Sequence, residues 1–161
     1  DRVDRGENFR DVIYATADAT PDWADEIRMW HDDWLEMAKP AIDHSVRILR
    51  ALRASNVPVF ALSNFGIETF AIAQPVYPFL KEFDRPYISG HMGEVKPGSR
   101  IYEMVEEDCG LDPATLLFTD DKQENLDVAA GRGWQTHLFT GSDGLATRLV
   151  AEGLLTESVA K

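Results

Sequence analysis

The chain has 161 residues, enough for one domain with a substantial core and a small additional unit. Apolar residues make up 44% of the sequence and charged residues 27%, the balance of an ordinary globular protein. The formal net charge of −12 at pH 7 argues against a nucleic acid or an anionic membrane surface as a partner held by a basic patch.

The cysteine content and the hydropathy predict a cytoplasmic protein. Cys109 is the single cysteine, so the chain forms no internal disulfide and has no cysteine pair for structural zinc. No apolar run has the length needed to cross a bilayer, and no signal peptide opens the sequence, which begins with Asp1 rather than methionine.

The first part of the chain has the spacing of an amphipathic helix. Apolar residues recur at steps of three and four and predict a helix over residues 22–38. These residues are Trp23, Ile27, Trp30, Trp34 and Met37. We expect this aromatic stripe to pack in a core, and the alternative is an aromatic wall that faces a ligand. Residues 1–39 contain no strand pattern, so we interpret them as a separate small helical unit.

Strand and helix patterns alternate through residues 40–161. The predicted strands are short and apolar and lie at 57–63, 87–90, 115–119 and 135–139. The predicted helices lie at 41–55, 64–73, 97–110, 122–133 and 144–155. We expect Pro75 and Pro78 to stop the second of these helices. This alternation predicts an α/β fold with a doubly wound parallel sheet.

Polar residues collect where three of the predicted strands end. Ser63 and Asn64 follow the first strand, Lys96 follows the second, and Asp120 and Asp121 follow the third. In an open parallel sheet these ends form the ligand-binding edge. Each residue also has a simpler explanation, because a serine or asparagine can cap the next helix and a lone lysine is usually solvated. Two adjacent carboxylates repel each other, and a Mg²⁺ ion, which prefers oxygen ligands, would offset that repulsion.

The combination of these motifs resembles the haloacid dehalogenase (HAD) superfamily over about residues 41–155. The resemblance is carried by "VFALSNF", "SGHMGEVKPGSRIY" and "LLFTDDKQENLDVAAGRGW". It implies a Rossmann-like core over 40–161 that lacks its first strand, and a partial helical cap over 1–39 of the subclass with a small α-helical cap.

The resemblance also implies roles for the polar residues. Ser63 and the backbone of Asn64 would bind a phosphoryl group, and Lys96 would offset the charge between that group and an aspartate nucleophile. Asp121 would hold Mg²⁺, with Asp120 as a second ligand or one acting through water. We expect Asn125 to brace this loop rather than to contact substrate.

The nucleophile of the superfamily is missing from the sequence. It stands in an Asp-x-Asp motif after an apolar strand at the centre of the sheet, and no Asp-x-Asp occurs in these 161 residues. An open core would follow from the loss of that strand. We therefore expect the chain to be an inactive fragment, or to receive the strand from a separate N-terminal peptide.

The resemblance leaves the reaction open. The adjacent carboxylates favour a Mg²⁺-dependent phosphatase that acts on a small phosphorylated metabolite through an aspartyl-phosphate intermediate. The alternatives are a metal-independent 2-haloacid dehalogenase and a non-catalytic HAD-like binding module.

Overall fold

The fold is described from a computed structural model, which describes residues 1–158. Its elements confirm the α/β class. The helices α1 to α9 span Phe9–Ala19, Ala24–Asp32, Trp34–Met37, Asp43–Ala54, Ile67–Val76, Ser89–Met92, Ser99–Cys109, Gln123–Gly131 and Ser142–Ala151. The strands β1 to β4 span Phe60–Ser63, Arg85–Ile88, Leu117–Asp120 and Gln135–Leu138.

The chain divides into two compact units. The first comprises residues 1–41 and 61–95, and the second comprises residues 42–60 and 96–161. The predicted division into a cap at 1–39 and a core at 40–161 follows a different criterion, the family pattern, and stays a prediction.

The first unit is built on α1. Asn8 caps this helix by accepting a hydrogen bond from the backbone N–H of Asp11 at 2.9 Å. Glu68 on α5 accepts bonds from the Asn8 side chain at 2.6 Å and from the N–H of Phe9 at 2.8 Å. These bonds satisfy groups at the start of α1 and tie α1 to α5. The apolar face of α1, with Phe9 and Ile13 almost fully buried, forms the core of this unit.

The helix predicted over 22–38 is two short helices in the structure. A 3₁₀ turn at Pro21–Trp23 precedes α2, and the backbone leaves the helical conformation at Asp33, between α2 and α3. The helix predicted to stop at Pro75 continues to Val76, because its last turn accommodates the proline.

The second unit contains β3 and β4, which pair in parallel with Leu117 opposite Gln135 and Asp120 opposite Leu138. The strands β1 and β2 form a separate hydrogen-bonded pair in the first unit. Within residues 1–158 the sheet is therefore present as two two-stranded pairs rather than as one continuous sheet of four strands. The predicted absence of a central strand stays a prediction.

The core of the second unit lies on both sides of the β3–β4 pair. Ile48 and Leu52 of α4 pack with Leu149 of α9 in one buried cluster. The rings of Tyr102, Phe118 and Trp134 meet edge to face, with centroids 5.5 to 6.0 Å apart. Such contacts between aromatic edges and faces are favourable because the ring quadrupoles are complementary.

An ion-pair network joins α7 to the end of α8. Arg132 donates two hydrogen bonds to Glu106, at 2.9 and 2.6 Å, and the indole N–H of Trp134 donates a third at 2.7 Å. The hydrogen bonds from Arg132 lower the pKa of Glu106, and the bond from Trp134 lowers it further. Burial raises this pKa by less, so it stays below its ordinary value. The helix α7 ends at Cys109 and is followed by Gly110 in the left-handed conformation, which a glycine adopts readily at a helix end.

No helix within residues 1–158 has both the length and the apolar character needed to cross a membrane.

Candidate functional site

A buried ion pair lies at the carboxyl end of β3. The Nζ of Lys96 lies 2.6 Å from Oδ2 of Asp120, and both side chains are less than one-tenth exposed. Withdrawing two charges from water is costly, so such a pair needs further hydrogen bonds to be held in place. Asp120 has them, because its Oδ1 accepts from the backbone N–H of Lys122 at 2.9 Å and from Nδ2 of Asn125 at 2.8 Å.

These contacts keep Asp120 ionised. Burial raises the pKa of its carboxyl, but the hydrogen bonds from Lys96, Lys122 and Asn125 outweigh burial and hold that pKa below its ordinary value. The expected brace by Asn125 is present in the bond to Asp120.

Aromatic residues support the pair from the surrounding core. The ring of Phe118, two residues before Asp120 on β3, has its centroid 5.3 Å from Nζ of Lys96, within the range of a cation–π contact. The hydroxyl of the buried Tyr102 donates to the backbone carbonyl of Asn125 at 2.9 Å. Neither residue is among the predicted site residues, although the two-residue period of a strand places Phe118 on the same face as Asp120.

The two aspartates of the predicted metal site have different environments. Asp120 is buried against Lys96, whereas Asp121 follows the strand with an exposed side chain. The side chain that contacts the lysine is thus that of Asp120. The assignment of Asp121 and Asp120 as metal ligands stays a prediction.

The loop after β3 offers some of the oxygen ligands that a hard cation such as Mg²⁺ needs. Carboxylate and amide oxygens are the ligands that Mg²⁺ prefers. The Oδ1 of Asn125 is buried and accepts no hydrogen bond, so one oxygen beside Asp120 remains unsatisfied. Over residues 1–158, however, no group of three or more acidic, histidine or cysteine side chains could hold a metal by itself. The residues therefore fit Mg²⁺ as part of a larger ligand set.

Ser63 and Asn64 lie in the first unit, at the end of β1. Ser63 is half-buried and Asn64 is exposed. Neither side chain caps α5, which begins after Gly66 with no side-chain cap, so helix capping does not account for them. This leaves a ligand-binding role for both residues as a prediction.

The loop after Asn64 is fixed by the residues that follow β2. Ser89 is fully buried, and its hydroxyl accepts from the N–H of Phe65 at 2.9 Å. The N–H of Gly90 donates to the carbonyl of Phe65 at 3.0 Å. A Cβ at Gly90 would stand 2.8 Å from the backbone nitrogen of Ile67, so only glycine fits this approach. Ser89 and Gly90 belong to the strand predicted over 87–90, whereas β2 ends at Ile88 in the structure.

A cavity of about 450 Å³ in the first unit reaches Ser63 and Asn64. Its apolar lining includes Phe9, Trp30, Trp34 and Phe65. Its volume falls within the range of small-molecule sites.

The tryptophans do not pack as the sequence analysis expected. The side chain of Trp23 is 62% exposed and that of Trp30 is 50% exposed, so core packing is wrong for these two residues. Trp23 lies in the 3₁₀ turn before α2 and Trp30 lies in α2, and neither element has a buried residue.

Comparisons with known proteins support the family resemblance. No protein-family model matches the sequence. Among solved structures, the chain is similar to the HAD family enzyme BT-2542 from Bacteroides thetaiotaomicron, with 27% identity and a TM-score of 0.54. That match covers 60% of this chain and 50% of the other. A predicted HAD-like family hydrolase from Porphyromonas gingivalis matches with 27% identity and a TM-score of 0.59, over 66% of this chain and 56% of the other.

A third structure shows the same fold at lower identity. It is a variant of the Bacteroides thetaiotaomicron enzyme in complex with magnesium and inorganic phosphate, with 21% identity and a TM-score of 0.57, over 84% of this chain and 70% of the other. The chain spans about half the length of the first two structures that it matches. Together with the strand-end motifs, the two matches at 27% identity support the resemblance of this chain to the HAD-like superfamily.

Proposed function

We propose that this chain supplies the charge-stabilising part of a HAD-type hydrolase, a Mg²⁺-dependent phosphatase that acts on a small phosphorylated metabolite. The observation that supports the proposal best is the buried pair of Lys96 and Asp120 at 2.6 Å. Because a carboxylate already holds this ammonium in place, the ammonium does not have to be reoriented when a phosphoryl group binds. Electrostatic catalysis depends on charges that are preorganised in this way.

Each polar residue has a role in this proposal. Ser63 donates its hydroxyl to a phosphoryl oxygen, and the backbone N–H of Asn64 donates to another. Lys96 offsets the negative charge of the phosphoryl group and of the attacking carboxylate. Asp120 holds the Lys96 ammonium in place through the contact at 2.6 Å. These are positioning and charge-offsetting roles, on which phosphoryl transfer depends most.

Asp121 and Asp120 would hold the magnesium ion, with the unsatisfied Oδ1 of Asn125 beside them. The bound ion would supply further positive charge to the phosphoryl oxygens. Complexes of the Bacteroides thetaiotaomicron enzyme with magnesium and with inorganic phosphate support this assignment by analogy.

The proposal requires an aspartate that accepts the phosphoryl group and releases it to water. Because the 161 residues contain no Asp-x-Asp, the nucleophile belongs to another segment, such as a separate N-terminal peptide. By this proposal the 161-residue chain binds phosphate but does not turn over a substrate alone.

Phosphate binding by the chain tests the proposal directly. We expect titration calorimetry to show that inorganic phosphate binds in the presence of Mg²⁺, and that Asp121→Asn and Lys96→Met each weaken binding at least about tenfold. Asp121 is exposed, so its variant keeps the fold and the test stays valid if Lys96→Met unfolds. Lys81→Met, which removes an exposed lysine, is the control for charge and should bind normally.

A complementation assay distinguishes the reactions. A peptide that carries an apolar strand ending in Asp-x-Asp is added to the chain, and release of phosphate from p-nitrophenyl phosphate is compared with release of chloride from 2-chloropropionate. Mg²⁺-dependent phosphate release supports the phosphatase. Chloride release without Mg²⁺ would replace it with the dehalogenase, and neither product together with no phosphate binding would leave a non-catalytic module.

A further inference from the structure

The cavity of the first unit has a chemical character that the proposed function does not specify. Within residues 1–158, four aromatic residues line it, and they occur as two contacting pairs. Phe9 and Trp30 meet edge to face with centroids 6.1 Å apart, and Trp34 and Phe65 meet at 5.6 Å with a tilt of 42°. Ring pairs in such arrangements present flat apolar faces and polarised edges to a third ring.

Exposure of the tryptophans supports a binding role for this wall. Trp30 lines the cavity while half of its side chain remains accessible. Phe9 is a buried member of the core of the first unit and Trp34 packs against that core, which fixes these two rings in position. An accessible indole mounted on buried rings is a preformed apolar contact surface rather than part of a closed core.

The charged groups of the cavity limit what can bind there. Asp1 and Asp4 are among its lining residues, and the terminal ammonium of Asp1 lies 3.8 Å from the Asp4 carboxylate. The guanidinium of Arg2, also on the lining, is bound by Glu7 with contacts at 2.8 and 2.5 Å. A ligand with a second anionic group would therefore meet carboxylates rather than an unpaired cation. Apart from the phosphoryl group that the proposed function places at Ser63, the body of the ligand should therefore be uncharged.

We propose that the cavity selects phosphate monoesters of aromatic or other flat apolar alcohols, with the alcohol against Trp30 and Trp34 and the phosphoryl group at Ser63 and Asn64. This proposal rests on the proposed function, because it assumes that a phosphoryl group binds at the end of β1. It names the class of substrate from this chain's own lining residues.

A set of matched ligands tests the selection. Titrations of the 161-residue chain with phenyl phosphate, glycerol phosphate and inorganic phosphate are compared in the presence of Mg²⁺. We expect phenyl phosphate to bind at least about tenfold more tightly than either of the others. Trp30→Ala should remove most of this preference and leave the affinity for inorganic phosphate unchanged.

Trp23→Ala is the matched control, because Trp23 is an exposed tryptophan of the same segment that is not among the residues lining the cavity. It should leave the preference intact. Equal affinities for phenyl and glycerol phosphate, or a preference that survives in Trp30→Ala, would overturn this inference and leave the phosphatase proposal standing. Failure of all three ligands to bind would overturn both.

Discussion

Replacing Lys96 by methionine should destabilise the second unit strongly. Methionine keeps most of the length and apolar surface of the side chain but removes the ammonium, so Asp120 remains as a buried carboxylate without its cation. Breaking a buried ion pair by removing one partner costs about 3 to 5 kcal/mol. Because Asp120 retains hydrogen bonds from Lys122 and Asn125, we expect the lower end, about 3 kcal/mol.

Urea unfolding followed by the fluorescence of Trp134 measures this cost. Trp134 is the only tryptophan of the second unit, so the experiment uses a background in which the other three are phenylalanine. The double variant Lys96→Met/Asp120→Asn should recover part of the loss, because it removes both charges. Lys81→Met should cost less than about 0.5 kcal/mol. A loss in Lys96→Met no larger than in Lys81→Met would refute the reasoning about the pair.

Three further changes test the packing and charges around the two strand ends. Tyr102→Phe should cost about 1 kcal/mol in urea unfolding, because the hydroxyl bond to Asn125 is lost; no change would show that this bond does not matter. The fold lowers the pKa of Glu106. The contribution of its carboxylate to the free energy of unfolding is therefore complete above the ordinary pKa of 4.5 and is lost as pH falls through the lower pKa of the folded state. Glu106→Gln should flatten this acid limb in a pH series of melting curves, and an unchanged slope would contradict the assignment. Gly90→Ala should cost about 2 kcal/mol or more through clashes with backbone, whereas Gly131→Ala, at an open position, should be neutral or stabilising; equal effects in thermal melts would contradict the packing described here.

The sequence predicts the elements of the second unit well. Local patterns are sufficient here, because tertiary contacts do not override them. They are the apolar run before Asp120, the glycine at 110 and the alternation of strand and helix patterns from residue 42 onward. The two-residue period of β3 and the adjacent polar run were sufficient to place a strand end and a helix start. The helix ends shift by a few residues because terminal turns depend on contacts that a sequence pattern does not contain.

The first unit shows where such reasoning fails. The three-and-four spacing of Trp23, Trp30 and Trp34 is genuine helical periodicity, but it does not show that the backbone breaks at Asp33. A stripe of large apolar residues also predicts burial by default, whereas Trp30 is half exposed in a cavity. Exposure of an aromatic side chain depends on what packs beside it, and that is a property of the tertiary structure.

The candidate site was predicted in composition but not in geometry. The residue types and their strand-end positions were sufficient to single out Lys96 and the aspartate pair. Which of two adjacent carboxylates turns inward depends on the pleat of β3 at its last residue, and the structure turns Asp120 inward.

The most direct test of the account is a double-mutant cycle of Asp121→Asn and Lys96→Met, read as the affinity for inorganic phosphate in the presence of Mg²⁺. If both residues act on the same phosphoryl group, Asp121 through the bound ion and Lys96 directly, the two losses are not additive, and the coupling is at least about 0.5 kcal/mol. Strictly additive effects, or a loss in Lys96→Met alone, would contradict the claim that Asp121 and Lys96 serve one phosphate site.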